Sequence, residues 1–299
     1  MKEQVVHFGS KARLVGIVSE PERRLPEAPA VLLLNSGTLH RVGPNRLYVT
    51  LSRQLAARGL PVMRFDFSGI GDSGRREDRV PFLEGSVEET REAMDLLEER
   101  FGTRQFLLLG LCSGGNVAFA TAVADERVTG CALINVRGHL HGSDEEAETY
   151  YRNRGMRRHY LRMATRGSFR WKNWRKALAG QVDYRGFVRS LLQFRAGELS
   201  TQKGELGPEL GILEARGVEL LHLWCEGDEG LDYAEVVLED RIERLEKAAS
   251  SQLEVVEGAD HTFTLLWSQE RLHEIVGGWV DRCLVGSPDR EAVAAATLP

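Results

Sequence analysis

Leu107-Leu108-Leu109-Gly110-Leu111-Cys112-Ser113-Gly114-Gly115 is the stretch that decides how this chain reads. An apolar run over Gln105–Leu109 has the length of a strand buried on both faces. It runs straight into a glycine-rich turn, and a helix of small residues, Asn116–Ala124, follows. Strand, G-x-nucleophile-x-G and helix together form a sharp turn that raises one side chain above the end of a sheet. Such a turn has no room for bulk two positions before and after its central residue. With Cys112 at the centre those positions are Gly110 and Gly114; with Ser113 at the centre one of them would be Leu111. Sterics therefore assign the nucleophile to Cys112. The helix N-terminus behind it would favour a thiolate through its free N–H groups and dipole. The plainer alternative is a packing cysteine beside a glycine-rich helix contact.

Outward from this turn, short apolar runs alternate with helical patterns, as in a mostly parallel sheet covered on both faces. Gln4–Phe8 and Arg13–Val18 read as two strands joined at Gly9-Ser10. Ala30–Leu34, Pro61–Phe65, Cys131–Asn135, Glu219–Trp224 and Gln252–Val256 read as further strands. Leu47–Arg58 has helical spacing and stops at Gly59. Ser86 and Glu89 form the Ser-x-x-Glu pattern of a capping box, which predicts a helix from Ser86 to about Arg100. Helices are also expected over Tyr233–Lys247 and Glu270–Cys283. The alternation breaks between Arg137 and about Pro208, a polar, basic and aromatic stretch. The expected organisation is an α/β core over 1–136 and 209–285, a basic helical cap over 137–208, and a loose tail over 286–299.

At 299 residues, 42% hydrophobic and 28% charged, the chain suits one large α/β domain with an insertion. The longest apolar runs are strand-sized, far short of the roughly 18–20 residues of a membrane helix. Met1-Lys2-Glu3-Gln4 carries no apolar signal region, and Cys112, Cys131, Cys225 and Cys283 form no C-x-x-C pair. The expectation is a cytoplasmic protein with free thiols. The net charge of −5 conceals an asymmetry. Residues 151–195 hold 13 Lys and Arg against the single acid Asp183, a net of +12, which leaves −17 on the rest. That basic segment is either a solvated lid with an apolar underside or a docking face for an anionic partner. No motif supports nucleic-acid binding.

A cysteine nucleophile needs a base and an acid to orient it. Asp228 follows the strand ending at Trp224, with Glu226, Glu229 and Asp232 as close rivals. His261, in Gly258-Ala259-Asp260-His261-Thr262-Phe263, follows the last strand. Nucleophile, acid and histidine thus come in chain order, each beyond the C-terminal end of a strand. The oxyanion donors are expected to be the backbone N–H groups of Ser113 and of Thr38, with Gly37 allowing close approach. His40, Arg41 and Trp171 are expected to line the substrate site. His139 and His141 also fall in loops near it. Gly69-Ile70-Gly71-Asp72-Ser73-Gly74 satisfies G-x-G-x-x-G after a strand, but Arg75 to Pro81 has no helical periodicity, so a dinucleotide site is rejected. No cofactor and no metal is expected.

These marks resemble the α/β-hydrolase superfamily over nearly the whole chain: Arg64-Phe65-Asp66 with Gly69-Ile70-Gly71-Asp72-Ser73, the turn at Cys112, Gly227-Asp228, and Gly258 to Phe263. The resemblance implies the α/β-hydrolase fold and a Cys112–His261–Asp228 triad. Asn35-Ser36-Gly37, Arg41-Val42-Gly43-Pro44, Gly110-Leu111-Cys112 and the stretch from Phe169 to Gly180 look more narrowly like exosortase-A-associated hydrolases. Cysteine in the nucleophile position is similar to dienelactone hydrolases and to thioesterases and aminoacyl shuttles acting on carrier-protein thioesters.

A thiolate attacks readily but also leaves more easily than an alkoxide, so attack on a plain alkyl ester tends to collapse backwards. Thioesters and enol lactones escape this. The expected function is therefore thioesterase or acyltransferase chemistry through an acyl-Cys112 intermediate, on a small acyl substrate carried free or on an acidic carrier protein. The alternatives are a lactone or activated-ester hydrolase, and a binding protein on a hydrolase scaffold.

Overall fold

The computed structural model describes residues 1–136, 208–228 and 250–285, with positions 230, 231, 245 and 248 between the last two. The expected cap, the tail over 286–299, Trp171, His139, His141 and nearly all of the expected helix Tyr233–Lys247 lie outside the described residues.

The described chain runs through β1 (Lys2–Phe8), β2 (Leu14–Glu20), β3 (Ala30–Leu34), α1 (Leu47–Ala57), β4 (Val62–Asp66), α2 (Phe82–Phe101), β5 (Phe106–Leu111), α3 (Ser113–Ala124) and β6 (Val128–Ile134). It continues with α4 (Pro208–Ala215), β7 (Glu219–Cys225), β8 (Ser251–Val256) and α5 (Leu266–Val285). The strands form one sheet in the order β1-β2-β4-β3-β5-β6-β7-β8. β1 and β2 pair antiparallel, as do β2 and β4, and every later pairing is parallel. This is the α/β-hydrolase fold that the resemblance implies.

Alternation along the central strands explains the two cores. Ala30, Leu32 and Leu34 of β3 face one layer with Leu108, Met94 and Leu97 of α2, Val117 of α3 and Leu213 of α4. Val31 and Leu33 face the other with Leu107 and Leu109, Leu51 and Leu55 of α1, and Val276 and Trp279 of α5. Burial on both faces is why these strands read as unbroken apolar runs. Among the described residues no helix is long and apolar enough to cross a membrane.

Two sequence expectations change. α2 begins at Phe82, directly after Pro81, so Ser86 and Glu89 are buried inside the helix and do not cap it. Glu89 is drawn into long-range contacts: it pairs with Arg13 at 3.1 Å and accepts the Ser68 N–H at 2.9 Å. A buried carboxylate between an arginine and a free backbone donor outweighs a local capping bond. Second, α3 starts at Ser113 rather than Asn116. Gly114 and Gly115 adopt the helix because this end of it lies against the neighbouring strands too closely for a Cβ.

Candidate active site

The turn after β5 carries its strain on one residue. Cys112 has φ 55° and ψ −122°, a left-handed backbone that a non-glycine residue adopts only under constraint. The constraint is visible in its neighbours. A Cβ on Gly110 would lie 2.1 Å from the Gly114 carbonyl carbon, and a Cβ on Gly114 would lie 2.5 Å from the backbone oxygens of Leu34 and Asn35. Tyr48, buried in α1, supports the turn from below. Its hydroxyl donates to the Leu34 carbonyl at 2.9 Å and accepts the Leu111 N–H at 3.0 Å, tying β3 to β5. Nothing local in the sequence marked Tyr48 for this role.

Three strand ends converge here. Cys112 follows β5, Asp228 lies in the turn after β7, and His261 lies in the loop after β8. His261 Nδ1 donates to Asp228 Oδ2 at 2.5 Å. The Asp228 side chain is nearly buried, whereas the His261 ring is about half exposed. The carboxylate is held by the Gly230 N–H, which donates to Oδ1 at 2.7 Å. Of the rival acids, Glu226 accepts the Gly258 N–H at 3.2 Å, while Glu229 and Asp232 lie outside the described residues.

The electrostatics follow from this grouping. Hydrogen bonding to Asp228, then to Cys112, raises the His261 pKa to about 10. Hydrogen bonding to His261 holds the Cys112 thiol below its ordinary value despite the opposing cost of burial, and the Ser113 N–H assists. Both shifts favour the thiolate–imidazolium form of the pair.

The loop after β3 meets this turn from the other side. The Ser113 N–H sits at the start of α3, where helix N–H groups have no intrahelical partner. The Gly37 N–H donates to Ser113 Oγ at 2.7 Å, so the hydroxyl latches this loop to the helix and occupies Gly37's donor. Thr38 is exposed, and no acceptor for its N–H is found among the described residues. Asn35 shapes the loop by donating to the Leu39 carbonyl at 2.8 Å and accepting the Phe67 N–H at 3.0 Å.

Arg41 and His40 occupy the same loop. Arg41, expected to touch substrate, points its guanidinium at two carboxylates, buried Asp66 and exposed Asp72. Its backbone N–H also donates to Asp66, at 2.5 Å. A Cβ on Gly71 would strike the Asp66 carboxylate, so this glycine of the G-x-G-x-x-G stretch lets the chain close on Asp66. His40 is exposed.

Cys112, Ser113, Asn116, Asn135, Asp228 and His261 line part of a cavity of about 760 Å³. Among the described residues no cluster of histidines, cysteines or acids is arranged to hold a metal. The arrangement brings a thiol, an imidazole and backbone donors around one space, groups suited to acyl transfer.

Comparison with known proteins agrees with this architecture. Residues 31–276 match the model of the Alpha/beta hydrolase family. No curated protein matches the chain. Among solved structures, an esterase from Pyrococcus furiosus superposes with a TM-score of 0.56 at 15% identity, covering 95% of this chain and 91% of its own. Proline iminopeptidase from Mycobacterium smegmatis gives 0.54 at 19% identity, covering 98% and 100%. A thermophilic esterase from Thermogutta terrifontis gives 0.54 at 17%, covering 95% and 99%. At these identities the likeness is one of fold.

Proposed function

The chain belongs to the alpha/beta hydrolase family, and from that premise we propose that it is a cysteine-nucleophile member that cleaves or transfers acyl groups from thioesters. The observation that carries this reading is the Cys112–His261–Asp228 arrangement, with a lowered thiol facing an imidazole that is hydrogen-bonded to a nearly buried carboxylate.

In this reading the Cys112 thiolate attacks the thioester carbonyl carbon. The carbonyl oxygen becomes an oxyanion that accepts from the Ser113 and Thr38 N–H groups. The tetrahedral intermediate collapses and the carbon–sulfur bond to the leaving thiol breaks. His261, protonated at the start, gives its proton to that sulfur. The acyl-Cys112 that remains is itself a thioester. Neutral His261 then takes a proton from water, or from a thiol or amine acceptor, as that group attacks the acyl carbon. Collapse releases the acid or the transferred acyl group and restores the thiolate–imidazolium pair. Asp228 orients the ring through Nδ1 and stabilises its positive charge.

Thioesters suit this site better than alkyl esters because thiolate is the better leaving group in any intermediate that also holds an alkoxide. The basic segment 151–195 supports delivery on an acidic carrier. A cytoplasmic setting, where four free thiols persist, fits the same reading.

The test is intact-protein mass spectrometry after incubation with small pantetheine thioesters and carrier-bound ones. The expected result is a mass increase that maps to Cys112 and decays with water or with an added thiol or amine. An adduct on another residue would overturn the nucleophile. Turnover of enol lactones with none of thioesters would overturn the substrate class, and no adduct or turnover with either would leave a binding protein.

A further inference from the structure

The end of β6 holds no residue of the proposed triad, yet all three are tied to it. The Cys112 N–H donates to the Ile134 carbonyl at 2.8 Å. The next residue, Asn135, is buried and left-handed, with φ 50°. Its side chain reaches across β7. Asn135 Oδ1 accepts the Cys225 N–H at 2.8 Å, which fixes which end of the amide is oxygen. Its Nδ2 donates to the His261 carbonyl at 2.8 Å and to Cys225 Sγ at 3.2 Å. Cys225 in turn accepts the Asp228 N–H on its carbonyl at 3.1 Å, and its thiol donates to the Asp260 carbonyl at 3.0 Å.

We propose that Asn135 is the positioning residue of this site: its amide holds the loop bearing His261 in register with the turn bearing Asp228, and so sets where the imidazole meets Cys112. This rests on the reading of Cys112 and His261 as the reacting pair. The residue type is demanding. The position needs a neutral side chain with an acceptor and two donors, short enough to sit beneath the loop and tolerant of a left-handed backbone, and asparagine meets all of these. Aspartate lacks the donors, and glutamine is one methylene too long. Burial makes the bonds consequential, because a broken one leaves the His261 carbonyl and the Cys225 N–H without partners.

Among the described residues, the titratable groups sharing the cavity with Cys112 are His261, Asp228, Asp260, Glu226 and Cys225. Of these, His261 is the one whose ring acts directly to lower the thiol, so its displacement is read at Cys112. The experiment measures the rate of Cys112 alkylation by iodoacetamide against pH in the full chain, resolved by peptide mass spectrometry, with the melting temperature alongside. Asn135→Gly removes all three side-chain bonds without left-handed strain, and Asn135→Ser is a second variant too short to bridge the loops. Thr103→Ala is the control for lost stability. Thr103 is buried before β5, and its hydroxyl donates to the Ala28 carbonyl at 3.2 Å, away from the site.

In the wild type Cys112 is expected to alkylate faster at pH 6 than an ordinary thiol. Either Asn135 variant is expected to lose about ten-fold of that rate at pH 6 and little at pH 9.5, the signature of a thiol moved up by about one pH unit. Thr103→Ala is expected to melt earlier with an unchanged profile. A folded Asn135 variant with the wild-type profile would overturn the positioning role alone. A wild-type Cys112 that titrates as an ordinary thiol would overturn the reacting pair itself, and the positioning role with it.

Discussion

Cys112 follows β5 and Cys225 ends β7, and both thiols border the same cavity. Cys112 is half-buried on a left-handed backbone and faces His261, which draws its thiol toward the charged form. Cys225 is buried on an ordinary strand. Its thiol donates to the Asp260 carbonyl and accepts from Asn135, and burial pushes it up to about 12. The residue type and the strand end are shared, so chemistry is decided by what each sulfur faces. In the proposed reading a cation makes one a nucleophile, while a carbonyl keeps the other a neutral hydrogen-bond donor.

The sharpest way to break this contrast is to delete each sulfur. Cys112→Ala should lower acylation by a thioester about 10⁴-fold or more, with no covalent adduct in the intact mass. An adduct that persists would move the nucleophile elsewhere. His261→Ala keeps the sulfur and removes its cation. Acylation should fall about 10³-fold in stopped-flow measurements at pH 7. The loss should shrink as pH rises through the ordinary thiol range, because the thiol then ionises unaided. A pH-independent loss would mean that His261 does not act through the thiolate.

Ser113→Ala separates the hydroxyl from the backbone donor. The Ser113 N–H remains while the latch on Gly37 is lost, so acylation should fall only about three- to ten-fold, the worth of one hydrogen bond of ~1 kcal/mol. A loss as large as that of Cys112→Ala would reassign the nucleophile to Ser113. The smallest functional effect is expected at Cys225→Ala. Acylation should stay near wild type, while urea unfolding reports a loss of about 1–2 kcal/mol from a missing buried contact and hydrogen bond.

What could be read from sequence divides along physical lines. Ala30–Leu34 and Phe106–Leu111 are legible as strands because both faces are covered, so every side chain is apolar. Cys112 is legible because the turn's sterics are local: the glycines that make room for it stand two residues away on either side. Asp228 and His261 are found as a pair because each follows a strand, and position beyond a strand end is a topological signal.

Partnerships across distant segments leave no such trace. Glu89 reads as half of a capping box until Arg13 and Ser68 arrive from elsewhere in the fold. Arg41 reads as a substrate contact, and its pairing with Asp66 at the end of β4 and with Asp72 leaves no local mark. Asn135 reads as the end of a strand, since its partners Cys225 and His261 lie 90 and 126 residues along the chain. The one local hint at Asn135 is its type, because asparagine just past a strand suits a left-handed turn.

The most direct test of this account labels the native wild-type protein with iodoacetamide at pH 6 and reads Cys112 and Cys225 in the same digest. The account predicts that Cys112 is alkylated while Cys225 stays unmodified until the protein unfolds. Equal labelling of the two, or labelling of Cys225 first, would contradict it.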